Sequence, residues 1–251
     1  GKTLAMIASA SELKRLGIVR KPAIAVPKKV LPGFVNAARA AFPLMRIHVI
    51  DGRDSGKRQY TMSQVATGDH DLVLMTHDNL DMLKLRPEFE AEMLQKELDE
   101  VDAVYDAVRA ENFKNRETKK SAAGRIEAQI RKRRERLAAK INDALKAERK
   151  DDTIYFEDTG IDFLFVDEFH KYKSLPVVTA LGNIKGVPTG DSQRAVNMLM
   201  RARYLQGLNK GGGLVAATGT PVSNSLVESW IMAKFLQPDI LEEAGVQSFD
   251  A

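Results

Sequence analysis

Three short motifs in the sequence combine residue types that could bind phosphate and a divalent cation. The first is Gly1-Lys2-Thr3, which opens a segment with helical apolar spacing. A phosphate site needs backbone N–H groups at a helix N-terminus, a flexible ammonium group and a hydroxyl that can hold Mg²⁺. The tripeptide supplies the last three positions of such a phosphate-binding loop. A match this short also arises by chance, so it needs support from elsewhere in the chain.

The second motif is a pair of carboxylates at the end of an apolar strand. Asp167 and Glu168 directly follow the apolar run 163–166. In a site that cleaves phosphates, one such carboxylate holds Mg²⁺ through water and the second polarises the attacking water. Their position fits, because ligands of parallel α/β sheets bind at the carboxyl ends of the strands. The alternative is an exposed acidic turn that binds nothing.

The third motif places small hydroxylated residues after another apolar strand. Thr218-Gly219-Thr220 follows the apolar run 214–217. Its hydroxyl groups could bond to a neighbouring carboxylate. Taken alone, the segment is also compatible with an ordinary strand–turn–helix connection, in which Asn224 or Ser225 caps the following helix.

The rest of the chain alternates between short apolar runs and helical segments. The apolar runs are nearly continuous, which is typical of strands buried on both faces of a parallel sheet. They are 22–26, 46–50, 71–75, 163–166 and 214–217. Helical spacing of apolar residues predicts helices at 3–16 and 31–42 and from Leu226 onwards. The sequence therefore predicts an α/β fold in which helices flank a parallel sheet.

The segment from Pro87 to Lys150 interrupts this alternation. It contains no strand signal, and its apolar residues follow helical spacing in two limbs. The first limb is rich in acidic residues, and the second carries the basic cluster Arg131–Arg136. These features predict an inserted antiparallel helical hairpin whose opposite charges face each other or the solvent. The hairpin is either a solvated structural element or, through its basic cluster, a contact with nucleic-acid phosphates.

Composition excludes several classes of protein. The 251 residues include no cysteine, which excludes disulfide scaffolds and Cys-ligated zinc. The 4 histidines form no close pair in the sequence, which disfavours a His-rich metal site. The net charge of +4 permits a polyanionic partner without requiring one. No apolar run is long enough to cross a membrane, so we expect no membrane partner and a cytoplasmic location.

Together, the three motifs resemble those of the first RecA-like domain of superfamily-two helicases, which has a P-loop NTPase fold. The motifs Gly1-Lys2-Thr3, Asp167-Glu168-Phe169-His170 and Thr218-Gly219-Thr220-Pro221 look like those of the Swi/Snf-like branch. Lesser matches are Val26-Pro27-Lys28 and Met75-Thr76-His77. The resemblance covers nearly all of the chain outside the hairpin. It is strongest to large phage- and plasmid-borne helicases that often occur beside DNA adenine methyltransferase domains.

This resemblance implies a nucleotide role for each matching residue. Gly1 and Lys2 would bind ATP, with the lysine at the β- and γ-phosphates. Thr3 and Asp167 would hold Mg²⁺. Glu168 would orient or activate the attacking water, which makes Lys2, Asp167 and Glu168 the candidate catalytic residues.

The resemblance also implies residues that connect the nucleotide to nucleic acid. His170 and Thr218-Gly219-Thr220 would link the nucleotide state to the bound strand. Pro27, Lys28 and Thr76 would lie near the nucleic-acid backbone. The family likeness favours DNA as that nucleic acid, and the residues themselves leave RNA open.

Residues 1–251 would then be a truncated N-terminal RecA-like ATP-binding domain, with the hairpin at 87–150 inserted in it. A second RecA-like domain of the same protein would supply an arginine finger, and methyltransferase domains could accompany it. Two alternatives stay open: a P-loop NTPase that moves no nucleic acid, and a non-catalytic scaffold that uses the hairpin as a docking arm. The motor hypothesis requires Lys2 to lie close to the Asp167–Glu168 pair, since one nucleotide must contact both.

Overall fold

The computed structural model describes residues 1–50, 55–115, 121–146, 153–177, 192–223, 225–246 and 249. The chain divides into two units. The first unit comprises Gly1–Leu85, Asp151–Lys173 and Gln193–Pro221. The second comprises Arg86–Lys150, Ser174–Ser192 and Val222–Ala251.

The first unit contains a parallel sheet, to which the described residues contribute five strands. They are β1 (Pro22–Val26), β2 (Ile47–Ile50), β3 (Leu72–Thr76), β4 (Phe163–Asp167) and β5 (Leu214–Ala217). The strand order is β2-β3-β1-β4-β5, and all neighbours pair in parallel. Every residue of β1 and β3 is buried, as expected for central strands covered on both faces. The predicted α/β fold with a parallel sheet is confirmed.

Helices flank the sheet in the first unit, and other helices make up the second unit. In chain order, the helices of the described residues are α1 (Lys2–Arg15), α2 (Leu31–Ala41), α3 (Ser55–Thr67), α4 (His77–Met82), α5 (Pro87–Lys114), α6 (Ala122–Lys146), α7 (Gln193–Leu208), α8 (Leu226–Leu236) and α9 (Pro238–Glu243). Helices α1 to α4 and α7 belong to the first unit, and the others belong to the second.

Local sequence signals set several of the helix ends. Gly17 adopts φ of 70° just after α1, a left-handed conformation that stops helices and that glycine adopts without strain. Proline stands in the first turn of α2, where its missing N–H costs no intrahelical hydrogen bond. The Thr76 hydroxyl accepts a hydrogen bond of 3.1 Å from the backbone N–H of Asn79 and so caps α4.

The core of the first unit lies on both faces of the sheet. On one face, α1 and α2 pack against β1, β3 and β4. The buried residues there are Met6, Ile7, Ala10, Ile24, Val26, Leu31, Phe34, Ala38, Leu72, Leu74 and Phe165. The strand residues that alternate with them, such as Ala25, Met75 and Val166, are also fully buried. Burial on both faces holds the strand ends, and therefore the residues that follow them, in fixed positions.

The second unit contains the predicted helical hairpin. Helices α5 and α6 run antiparallel: Glu97 contacts Arg133, whereas Asn112, later in α5, contacts Glu127, earlier in α6. Each limb buries apolar residues at helical spacing, which include Leu94, Val101, Val108, Ile130 and Leu137. The prediction that 87–150 forms an insertion in the family fold remains a prediction.

The opposite charges of the hairpin face each other, as the sequence predicted. Arg133 contacts Glu97 at 2.5 Å, and Arg134 contacts Asp102 at 2.5 Å. Arg134 also lies over the ring of Tyr105, with 5.6 Å between the guanidinium and the ring centroid. Two arginines of the basic cluster thus pair with acidic residues of the same hairpin. These pairs weaken the hypothesis that the cluster contacts nucleic-acid phosphates.

Among the helices of the described residues, none combines the length and the apolar character that a bilayer crossing requires.

Candidate nucleotide and nucleic-acid sites

Apart from Gly1-Lys2-Thr3, which opens α1, the predicted site residues follow strands that end at one edge of the sheet. In the paired strands, Val26 lies opposite Thr76, Ala25 opposite Val166, and Asp167 opposite Ala217. The strands are parallel, so their carboxyl ends share this edge. The register therefore brings together motifs that are up to two hundred residues apart in the sequence.

The first and second motifs meet at this edge. Gly1 is the N-cap of α1, and its carbonyl accepts a hydrogen bond from the N–H of Ala5 at 3.2 Å. Lys2 Nζ lies 3.3 Å from Glu168 Oε1 and 3.9 Å from Asp167 Oδ1. Thr3 is half-buried in the same first turn. The closeness that the motor hypothesis requires is present in the folded chain.

Asp167 is the buried member of the acidic pair. Its exposed fraction is 7%, and its Oδ1 has no hydrogen-bond partner among the described residues. Burial raises the pKa of Asp167 above its ordinary value, and the nearby Lys2 ammonium partly offsets that rise. A buried carboxylate oxygen without a hydrogen-bond donor is costly unless a cation satisfies it. Asp167 Oδ1 is therefore suited to contact a metal ion or a water molecule bound to one.

Glu168 adopts a backbone conformation that is rare for this residue type. Its φ and ψ are 53° and 47°, in the left-handed region, directly after β4 ends. The side chain lies between the Lys2 ammonium and the His170 imidazole. Oε1 faces Lys2 Nζ, and Oε2 lies 3.1 Å from Nδ1 of His170. The turn thus aims the carboxylate across the mouth of the site, whereas Asp167 points into it.

The third motif joins the site through His170. The Nδ1 atom of His170 lies 3.2 Å from Thr218 Oγ1, and the same hydroxyl accepts a hydrogen bond of 3.1 Å from the N–H of Thr220. A chain of contacts therefore runs from Lys2 through Glu168 and His170 to Thr218. Gly219 and Thr220 are exposed beside it, with open space around the Cα of Gly219.

Phe169 and Tyr172, which follow the acidic pair in the chain, were not predicted as site residues. Phe169, directly after the acidic pair, is fully buried, with its ring centroid 5.4 Å from that of Tyr172. The Tyr172 hydroxyl bonds to Nδ1 of His77 at 2.7 Å, and both residues are buried. Burial lowers the pKa of His77 to about 4, with repulsion from Lys171 as a smaller cause, so the imidazole is neutral at pH 7. His77 directly follows Thr76, so this bond connects the turn after Glu168 to the end of β3.

A separate pocket of about 380 Å³ lies farther along the same edge. Its walls are Lys28, Thr76, Asp78, Asn79, Asp81, Met82 and Arg194. Two of the three residues predicted to lie near nucleic acid, Lys28 and Thr76, thus line one cavity. Pro27 directly precedes the 3-10 turn Lys28–Val30 that presents the lysine. No sequence motif marks Arg194, which lies more than one hundred residues beyond Thr76 in the chain.

Across the part of the chain that the structure describes, no three His, Asp or Glu side chains gather in a way that could hold a metal ion. A nucleotide-bound Mg²⁺ needs few protein ligands, because phosphates and water provide most of its octahedral shell. One carboxylate and one hydroxyl are therefore sufficient contributions from the chain.

Comparison with known proteins gives two similarities. A family model described as a probable helicase domain matches residues 1–251. The chain is also 34% identical over 86 residues to the Defense against restriction protein B of Escherichia phage P1. Those residues are 34% of this chain and 4% of the phage protein, so the similarity spans only a small part of that relative.

Proposed function

Because the chain belongs to the family of probable helicase domains, we propose that it is the ATP-binding motor domain of a DNA helicase or translocase. The observation that carries the proposal is the meeting of Lys2 with Asp167 and Glu168 at the carboxyl edge of the sheet. An ammonium at a helix N-terminus facing a carboxylate pair is the arrangement that a nucleoside triphosphate with Mg²⁺ requires. We place the chain in the Swi/Snf-like branch of superfamily two on its motifs.

The residues present fit ATP and Mg²⁺. Gly1 and Lys2 would bind the β- and γ-phosphates, and Thr3 and Asp167 would hold the metal ion. The buried Asp167 Oδ1, which lacks a donor among the described residues, supports this role. Bound Mg²⁺ would neutralise the charge that develops on the phosphates.

Glu168 would orient or activate the water that attacks the γ-phosphate. Its left-handed backbone aims the carboxylate across the mouth of the site, next to Lys2. When phosphates draw Lys2 away, Glu168 keeps His170 as its neighbour at 3.1 Å. His170 and Thr218 would then transmit the state of the nucleotide to the bound strand through their 3.2 Å contact.

Nucleic acid would bind at the pocket lined by Lys28 and Thr76. We propose DNA as the partner because the motifs resemble those of DNA helicases that accompany methyltransferases. The partial similarity to a phage protein named for defense against restriction supports the same choice. A second RecA-like domain of the complete protein would contribute the arginine finger that hydrolysis needs.

Hydrolysis of ATP by the complete protein, measured with and without DNA, tests this function. The proposal predicts a DNA-stimulated rate that Lys2→Ala abolishes. The control is Lys14→Ala, which removes an ammonium from the same helix at 3.4 Å from Asp69 and outside the site. Hydrolysis that ignores every nucleic acid would favour an NTPase that does not translocate. A biological activity that survives Lys2→Ala would favour the scaffold.

A further inference from the structure

Arg194 stands out among the residues that line the pocket at Lys28 and Thr76. It comes from α7, whereas the other lining residues lie on or next to β1, β3 and α4. Its guanidinium contacts two carboxylates of α4. Nε lies 2.6 Å from Asp81 Oδ2, and Nη2 lies 3.2 Å from Asp78 Oδ1.

The two ion pairs of Arg194 differ in length and in exposure. The side chain of Asp81 is only 18% exposed, and burial raises its pKa, an effect that the Arg194 charge partly offsets. The side chain of Asp78 is 56% exposed, and its contact is longer. A short, shielded pair holds an arginine firmly, whereas an exposed pair is screened by solvent and easily replaced. Asp81 therefore fixes the guanidinium in place, and Asp78 is the exchangeable partner.

The geometry points to Arg194 as a phosphate-binding residue of the nucleic-acid site, in which a backbone phosphate replaces Asp78. This inference rests on the proposed function and adds a residue that the sequence motifs do not contain. A guanidinium has five N–H donors in a planar fork, and the two carboxylates engage only two of its nitrogens. A phosphodiester in the pocket would meet the Lys28 ammonium and the Thr76 hydroxyl on one wall and the guanidinium on the other.

In this arrangement Asp78 acts as a built-in competitor. In the free protein it occupies a donor that the phosphate needs, and its negative charge repels the backbone. Removal of Asp78 should therefore strengthen nucleic-acid binding, whereas removal of the Arg194 charge should weaken it. A purely structural link between α7 and α4 would not produce these opposite effects.

The test is DNA binding by the complete protein over a series of salt concentrations, with short fluorescent single-stranded and duplex oligonucleotides. Arg194→Gln should weaken binding about tenfold, as expected for loss of one charge-assisted hydrogen bond. It should also make the slope of log K against log salt shallower by about 0.7 for single strands and about 0.9 for duplex DNA. Arg203→Gln on the same helix, whose guanidinium bonds to Gln206 at 2.8 Å, is the matched control and should leave the slope unchanged.

Asp78→Asn is the second variant, and it leaves the Arg194–Asp81 pair intact, so folding does not obscure its result. It should tighten DNA binding severalfold, and this gain should disappear when Arg194 is already glutamine. An unchanged salt slope in Arg194→Gln, or an Asp78→Asn effect that persists without Arg194, would overturn the inference. DNA-stimulated ATP hydrolysis in the wild type separates this failure from a failure of the proposed motor function, since it depends on neither variant.

Discussion

Glu168 connects two other residues of the candidate site through the two oxygens of its carboxylate. Its carboxylate contacts Lys2 through one oxygen and His170 through the other, so the same residue touches the first turn of α1 and the histidine that contacts the third motif. The left-handed backbone that allows this costs conformational energy for a glutamate. Asp167, one residue earlier, is buried, and its Oδ1 has no hydrogen-bond partner among the described residues. Two adjacent carboxylates thus have different environments and different proposed roles.

Replacement of Glu168 by glutamine tests the water-activating role. The amide keeps the size of the side chain but cannot accept a proton, so ATP should still bind while turnover falls by a factor of about 100 or more. Steady-state hydrolysis and equilibrium ATP binding by the complete protein measure the two quantities. A near-normal hydrolysis rate in Glu168→Gln would mean that another group handles the water.

Replacement of Tyr172 by phenylalanine tests the buried bond beneath the site. The change leaves Nδ1 of His77 buried without its 2.7 Å partner, which should lower the free energy of unfolding by roughly 1–3 kcal/mol. Tyr60→Phe is the control, because that side chain is exposed and its hydroxyl accepts only a surface hydrogen bond from Gln64. Equal denaturation midpoints for Tyr172→Phe and the wild type would show that the bond contributes nothing.

At the scale of elements, α7 holds α4 in position below the pocket. Arg201 of α7 is 1% exposed and donates hydrogen bonds to the backbone carbonyls of Leu83 and, at 3.5 Å, Asp81. These carbonyls belong to the last turn of α4 and the residue that follows it, where they have no intrahelical partner. Arg201 therefore stabilises the end of α4, the same helix whose Asp78 and Asp81 contact Arg194.

Arg201→Met should destabilise the first unit strongly. Methionine fills a similar volume but leaves buried carbonyls without a donor, at a cost of roughly 2–3 kcal/mol in the free energy of unfolding. Chemical denaturation monitored by circular dichroism provides the measurement, with Arg203→Met on the same helix as the control. If both variants unfold at the wild-type denaturant concentration, the buried arginine has no supporting role.

The strands were predictable from the sequence, whereas several helices were not. Each strand is a short, nearly continuous apolar run, which is the pattern of a strand buried on both faces of a parallel sheet. Helix α7 escaped prediction because its buried side includes Arg201 and Gln206, which break the apolar stripe. Helix α4 has six residues and depends on the Thr76 cap rather than on periodicity. Helix α3 was not predicted either. Among its residues whose side chains are described, the buried apolar ones are Met62 and Val65, and two such residues make a weak apolar pattern.

The same reasoning explains which parts of the site were predictable. Residues that directly follow parallel strands meet at one edge, so the shared position of the acidic pair and the third motif followed from the fold class. The closeness of Lys2 to the acidic pair was instead expected from the resemblance of the motifs to the family. Arg194 and Tyr172 act through contacts between elements that are far apart in the sequence, and no local pattern marks such contacts. Asn224, one of the two helix caps considered, lies outside the described residues. Ser225 is the N-cap of α8, without a side-chain hydrogen bond to the helix.

At the scale of the whole molecule, the sheet and the hairpin belong to different units. The nucleotide site and the pocket both lie in the first unit, and the arginines of the hairpin pair with its own acidic limb. The catalytic proposal therefore draws on the first unit and on a second motor domain of the complete protein. The hairpin has no assigned part in the chemistry.

The isolated chain of 251 residues should hydrolyse ATP very slowly or not at all. Phosphoryl transfer needs charge neutralisation from both motor domains, and the arginine finger would come from the second one. Phosphate release by the purified chain, compared with the complete protein under the same conditions, measures this. Robust turnover by the isolated chain would refute the division of labour between two domains.

Binding of ATP to the complete protein, titrated calorimetrically with and without Mg²⁺, tests the nucleotide site most directly. The wild type should bind ATP more tightly with Mg²⁺. Lys2→Ala should weaken binding about tenfold or more, through loss of a charge-assisted contact to the phosphates. Asp167→Asn should remove most of the Mg²⁺ dependence, and the control Lys14→Ala should change nothing. ATP affinity that is equal in the wild type, Lys2→Ala and Asp167→Asn would contradict the account.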